Sequence, residues 1–468
     1  MIKNNKVKDK KIFFDIYYIV KKIYEDVFII NVSKKIYWFG VACLPLIYFS
    51  TICIYSVICN KSHAKNLYSF FQKKISIKTF EKSFLKRFIL KTHYIIISYL
   101  IFFKKKIYVV YSSNSYVNKY CEKKNFFQIK LDPLWFVSSR KIDKQIYDDE
   151  FSKKLDLFIF KLFDNFFLTK NQKDYRKALN NIKNNFIYHY RIYLIFNNQN
   201  KNFKNRFYIT SYTGIIFVRL FLASLRFGNE KKVITATHGN VEILNQLPDL
   251  ISDASLLGNY LVCKASHFKK KYKIFFQNFN RHYIRPKILT LKDNNEIIKI
   301  KKRYLKKRED KKRILIVGYP HSCHYNLNVP QITPSTYHKI EIQVMKILIN
   351  LGYDVTYNVH PDRLREGINL FKKNFQISTS RYEDVEKNFD YSLFTYHRST
   401  ALGHAMKTNS PILVLGFKNL DFDKYTSDLL SKRISFIDVS SNISNSLIKL
   451  KIKKSKKLVN YNSIKKLL

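Results

Sequence analysis

Apolar and polar positions divide the chain into stretches of different character. The first contains an uncharged run, Ile36 to Asn60 (IYWFGVACLPLIYFSTICIYSVICN), bounded by Lys34-Lys35 and Lys61. A run of that length can cross a bilayer as one helix. The alternative is a buried helix or strand pair in which Pro45 breaks the run. A second apolar run, Thr92 to Phe103, is too short to span and is expected in a core.

From Lys106 onward, short β-branched and aromatic runs alternate with longer helical ones. IYVVYSS (107–113), FYITS (207–211), KVITATHGN (232–240) and NYLVCKAS (259–266) read as strands. TGIIFVRLFLASLRFGN (213–229) reads as a helix closed by Gly228, and the segment from Phe136 to Asn205 is expected to be helical. Leu291 to Arg313 is dense in charge and reads as a linker. A second series follows: RILIVGYP (313–320), a helix from about Thr336 to Leu351, YDVTYNVHP (353–361), a helix starting at DRLREG, then YSLFTY (391–396) and PILVLGF (411–417). Strand, helix, strand with glycine at the turns is the grammar of parallel α/β sheets. The expected organisation is a basic and apolar membrane-associating region (1–105), a first α/β domain (106–290), a linker (291–312), a second α/β domain (313–440) and a basic tail (441–468).

Composition modifies this picture in two ways. The formal charge of +51 points to nucleic acid or an anionic membrane as a partner. Yet Arg313 to Phe417 holds 11 Lys and Arg against 8 Asp and Glu, so the basicity lies outside the most motif-rich region and no nucleic-acid partner is expected. The basic flanks around the apolar runs suit an anionic membrane surface. Six cysteines with no C-x-x-C pair favour reduced packing thiols over a disulfide framework. The basic N-terminus is followed by no short apolar core with a cleavage site, so no secretory signal is expected.

In open parallel sheets, ligands bind beyond the carboxyl ends of the strands. His238, His360 and His397 all follow strand runs. His238-Gly239-Asn240 places an imidazole on a turn where the glycine admits close approach, as a base for a hydroxyl proton or as a strand cap. His360-Pro361 fixes a histidine at the sheet edge, because proline ends the strand and opens a helix. There it can donate to a departing phosphate, with Arg363 nearby. Arg398-Ser399-Thr400 opens the short helix ALGHAMK, either as an anion site or as an ordinary cap. No dinucleotide, P-loop or hydrolase-elbow glycine motif is present. His321-x-x-His324 and Asp421-x-Asp423 lack the partners a metal site needs, so no metal and no cofactor is expected.

Together, the strand-end His-Gly, the His-Pro of the second domain and the Ser-Thr opening a helix before PILVLGF resemble bacterial surface-polysaccharide transferases of the GT-B type. Within that type, the motifs resemble those of capsule sialyl- and Kdo-transferases and CDP-glycerol glycerophosphotransferases. The resemblance covers roughly Lys231 to Phe417. It implies two Rossmann-like domains facing across a cleft, with donor-phosphate roles for His360, Arg398, Ser399 and Thr400, and a base role for His238. Gly239, Asn240, Pro361, Arg363 and His397 are supporting positions. It further implies a nucleotide-sugar or CDP-polyol donor, a glycan or glycolipid acceptor, and a location at the cytoplasmic face of the inner membrane. No acidic residue lies between Asp390 and Asp421, which favours inversion by single displacement. The competing readings are a basic nucleic-acid-binding protein and a non-catalytic membrane-associated scaffold.

Overall fold

The computed structural model describes residues 2–59, 106–111, 115–137, 139–143, 145–166, 172–200, 207–211, 215–228, 232–236, 256–263, 282–291, 311–318, 334–360, 375–396, 399–416, 430–439 and 442–458, with single positions 269, 272, 273, 276 and 428. Among the described residues the chain is an α/β protein built on two six-stranded parallel sheets.

Strands β1 (Lys106–Val110), β2 (Phe127–Leu131), β3 (Phe207–Thr210), β4 (Lys232–Ala236), β5 (Tyr260–Cys263) and β6 (Lys287–Thr290) form the first sheet, in the order β2-β1-β3-β4-β5-β6. Strands β7 (Arg313–Val317), β8 (Asp354–Asn358), β9 (Gln376–Ser378), β10 (Tyr391–Phe394), β11 (Ile412–Gly416) and β12 (Ser435–Asp438) form the second, in the order β12-β11-β10-β7-β8-β9. Counted from its own first strand, the second sheet runs 3-2-1-4-5-6, the doubly wound order. The central strands β7, β10 and β11 are apolar with almost every residue buried, as a parallel sheet covered on both faces requires.

The helices explain the apolar N-terminal run. Helix α1 (Ile2–Phe28) is followed by α2 (Lys34–Cys43) and α3 (Leu46–Cys59), with the chain turning at Leu44-Pro45. Thus the run from Ile36 to Asn60 does not form the single spanning helix weighed above. No helix among the described residues is long and apolar enough to cross a membrane. The second apolar run, 92–103, lies outside the described residues.

The short helix α4 (Ser115–Lys123) follows β1 and packs on the other face of the first sheet, and two long helices, α5 (Asp149–Phe166) and α6 (Gln172–Asn200), lie in the segment expected to be helical. Helix α7 (Ile216–Phe227) is buried on all sides from Ile216 to Leu225 and packs against both α2 and α6. Each fully buried Leu or Phe of this helix contributes about 1.5–3 kcal/mol. Its buried charge, Arg219, is 1% exposed and donates to the carbonyls of Ala42 (2.7 Å) and Val41 (2.8 Å). These carbonyls lie in the last turn of α2, where no intrahelical partner exists and a cation is favoured.

In the second half, α8 (Pro334–Asn350) ends in a Schellman turn. Tyr353 N–H donates to Leu348 O and Gly352 N–H to Ile349 O, with Gly352 at φ +83°. The short helix α9 (Thr400–Ala405) follows β10, and α10 (Asn445–Lys457) buries Ile448 and Ile452 against the second sheet. The largest apolar cluster includes one face of each sheet, through Tyr108, Val110 and Tyr208 in the first and Val317, Phe394 and Val414 in the second.

Candidate functional site

The doubly wound order fixes where a ligand crevice lies in the second sheet. Strand order reverses between β7 and β10, so the chain segments leaving those two strands part company at their carboxyl ends. Thr395, just past β10, ties the two ends together: its hydroxyl donates to Val317 O at 3.1 Å. The same hydroxyl lies 2.9 Å from Oε1 of Glu341, which also accepts from the Tyr357 hydroxyl at 3.0 Å.

Glu341 stands on α8 and is 1% exposed, a carboxylate sealed beneath the switch point. Above it, Gly318 leaves no room for a side chain, because a Cβ there would sit 2.2 Å from the Tyr357 hydroxyl. These four residues were not identified from motifs. Glu341 does leave a signal in the sequence: it shares a helical stripe with Val344, Met345 and Leu348, all buried.

His360 lies two residues past β8, half-buried at the carboxyl edge. Val317 pairs with both Asn358 and Phe394, so β7 separates the β8 and β10 ends, and the two flanking ends lie about 10 Å apart. Ser399 is the N-cap of α9 and accepts from Ala401 N–H at 3.2 Å, which is the capping role weighed from sequence. Thr400 is the first residue of that helix. The fold therefore brings His360 and Ser399-Thr400 to one edge of one sheet. His238, Gly239, Asn240, Pro361, Arg363, His397 and Arg398 lie outside the described residues.

Behind α9 stands a polar anchor. Arg433, 1% exposed, turns Nη2 toward Thr408 O (2.7 Å), Ser410 O (2.8 Å) and Ala405 O (3.1 Å), and Nε toward Met406 O (3.3 Å). It caps the carboxyl end of the helix as a cation should. Glu386, fully buried, accepts from the Thr408 hydroxyl at 2.9 Å and lies 3.4 Å from Nε2 of His404. Burial alone raises the Glu386 carboxyl; contacts with His404, Thr408 and Tyr382 outweigh it and hold the group below the usual carboxylate range.

Among the described residues, no group of three His, Cys, Asp or Glu is placed to hold a metal ion. Cys43, Cys53, Cys121 and Cys263 are buried and free of disulfides. Burial pushes the Cys121 thiol up to about 11 and that of Cys43 well above its ordinary value, which makes them inert packing groups. No family model matches the chain, and no curated protein matches it either.

Proposed function

We propose that the chain is a GT-B-type transferase. In this reading it moves a sugar or polyol phosphate from a nucleotide-activated donor to a hydroxyl of a cell-surface polysaccharide or lipopolysaccharide precursor. The observation that carries the reading is the juxtaposition of His360 and Ser399-Thr400 on either side of β7, at a doubly wound switch point. The donor's phosphates lie along this edge. His360 donates to the phosphate oxygen that departs, Arg398 and the Ser399 and Thr400 hydroxyls offset its charge, and no metal is required. The acceptor hydroxyl attacks the transferred group as the bond to the nucleotide phosphate breaks. Its proton passes to His238, two residues past the end of β4 in the first sheet. The anionic membrane surface is where the basic flanks hold the enzyme near its acceptor.

A panel of CMP-, CDP- and UDP-linked donors, assayed for hydrolysis and for transfer, tests this directly. At least one donor is expected to turn over, and His360→Ala is expected to lower kcat roughly 10²–10⁴-fold. A folded His360→Ala protein with full turnover removes the site assignment; silence across the panel removes the activity. Product stereochemistry by NMR is expected to show inversion.

A further inference from the structure

Helices α8 and α10 cover the same face of the second sheet, the one turned away from the cluster shared with the first. Ile340, Val344 and Leu348 of α8 and Ile448 and Ile452 of α10 belong to one apolar cluster with Ile314, Ile316, Leu413 and Leu415 of the strands. The two helices pack side by side, and Gln343 Nε2 of α8 donates to Ile443 O, just ahead of α10, at 3.3 Å. Nothing above assigns their outer surface a role.

On α10, Leu450, Lys453, Lys454 and Lys457 recur at three and four residues, so they stand on one side of the helix, opposite the buried Ile448, Ile452 and Ser455. All four are exposed, Leu450 at 62%. On α8, Lys339 and Lys346 are exposed, and its one carboxylate, Glu341, is sealed inside. Helix α10 holds six Lys and no Asp or Glu.

A lysine-rich composition does not by itself produce such a surface. In α1 and α5 together, ten Lys stand against eight Asp and Glu, so charges of both signs interleave. On α8 and α10 no exposed carboxylate offsets the ammonium groups. No arginine stands on either helix and no aromatic on α10, so the planar phosphate forks and stacking platforms of nucleic-acid surfaces are missing. An aliphatic side chain held in water among lysines fits a different partner, one with anionic headgroups above an apolar layer.

We propose that the α8–α10 face is a docking surface for an anionic lipid bilayer. Lys339, Lys346, Lys453, Lys454 and Lys457 meet the headgroups, and Leu450 enters the boundary between headgroups and acyl chains. This adds to the membrane location proposed above a named surface in the second domain, and it rests on charge and exposure, not on the transferase activity. Docked on this face, the second sheet lies flat on the membrane. Its carboxyl edge, with His360 and Ser399, then opens along the bilayer plane.

The test floats the full chain with phosphatidylcholine vesicles that hold either no anionic lipid or roughly one third phosphatidylglycerol. Binding is expected to the anionic vesicles and is expected to weaken as salt rises. Neutralising one lysine near such a surface lowers partition about fivefold, so Lys453→Gln, Lys454→Gln and Lys457→Gln combined are expected to lower it roughly a hundredfold. A control with the same change in net charge, Lys153→Gln, Lys173→Gln and Lys177→Gln combined, alters exposed positions of α5 and α6 and is expected to bind as wild type. Leu450→Trp reports insertion, and its fluorescence is expected to shift to the blue with anionic vesicles. Loss of binding confined to the α10 triple variant, together with that shift, supports the surface. Wild-type protein that binds no vesicle, an α10 triple variant that binds as wild type, two triple variants that lose binding equally, or no shift for Leu450→Trp overturns it. Protein that ignores vesicles but binds an RNA oligonucleotide through the same lysines overturns it in favour of nucleic acid. Vesicle binding that follows the α10 lysines while every nucleotide donor stays silent removes the transferase reading and leaves the surface standing; donor turnover without vesicle binding does the reverse.

Discussion

Arg433→Met isolates the anchor behind α9. Methionine keeps most of the aliphatic volume and removes the guanidinium. Nη2 carries two hydrogens and faces three carbonyls, so it serves Thr408 and Ser410 at 2.7 and 2.8 Å and shares with Ala405 at 3.1 Å; Nε adds a longer bond to Met406 at 3.3 Å. The substitution thus loses about three effective bonds to a charged donor and leaves buried carbonyls at a helix end. Each orphaned carbonyl costs about 1–3 kcal/mol, but removing the guanidinium also removes the cost of burying a charge. The net loss is expected near 3–5 kcal/mol. Urea unfolding measures it, followed by a probe in the second domain so that one transition is read. Native-state hydrogen exchange should show faster exchange at Leu402 to Met406 than in the rest of the second sheet. A loss below about 1 kcal/mol, or exchange that rises uniformly, would refute the view that Arg433 holds α9 in place.

Two further substitutions probe the interior. Gly318→Ala drives a methyl into the Tyr357 hydroxyl and should destabilise by about 1–3 kcal/mol; in a Tyr357→Ala background the same change should cost much less, measured as a double-mutant cycle. His189, 3% exposed with Nδ1 2.7 Å from Asn185 O, has its pKa lowered by burial to about 4 despite that hydrogen bond. Because the folded value lies below the unfolded one, this contribution is fully present above about pH 6.5 and is lost as pH falls toward 4, by about 3 kcal/mol in total. His189→Phe should flatten the stability profile across that window in equilibrium unfolding; an unchanged slope would show that His189 is not the titrating group.

The central strands were legible in the sequence because they are covered on both faces: RILIV, YSLF and ILVLG are mostly apolar runs closed by turns. The four strands that apolar pattern did not reveal, β2, β6, β9 and β12, are the four sheet edges. An edge strand such as Gln376–Ser378 is short and half-exposed, so it carries no such run. The position of His360 was readable because proline ends a strand. The switch points were not, since the order of strands across a sheet leaves no local mark. That is why Thr395, an ordinary residue in the sequence, emerges only once β7 is seen beside β10. Ile36 to Asn60 was ambiguous for a different reason: hydropathy reports that a segment avoids water, and lipid and a helix layer satisfy that equally.

The bonds from Arg219 to α2 have a consequence in time. Their partners are 177 and 178 residues apart along the chain. At roughly 5–20 residues per second, synthesis leaves α2 without this partner for ~10–35 s after its own residues are made. During that interval the apolar surface of α2 emerges before the helix that covers it. Vectorial production from the N-terminus therefore delivers α2 well before the helix that buries it. Slowing translation upstream of residue 216 should lengthen that exposure and lower the soluble yield.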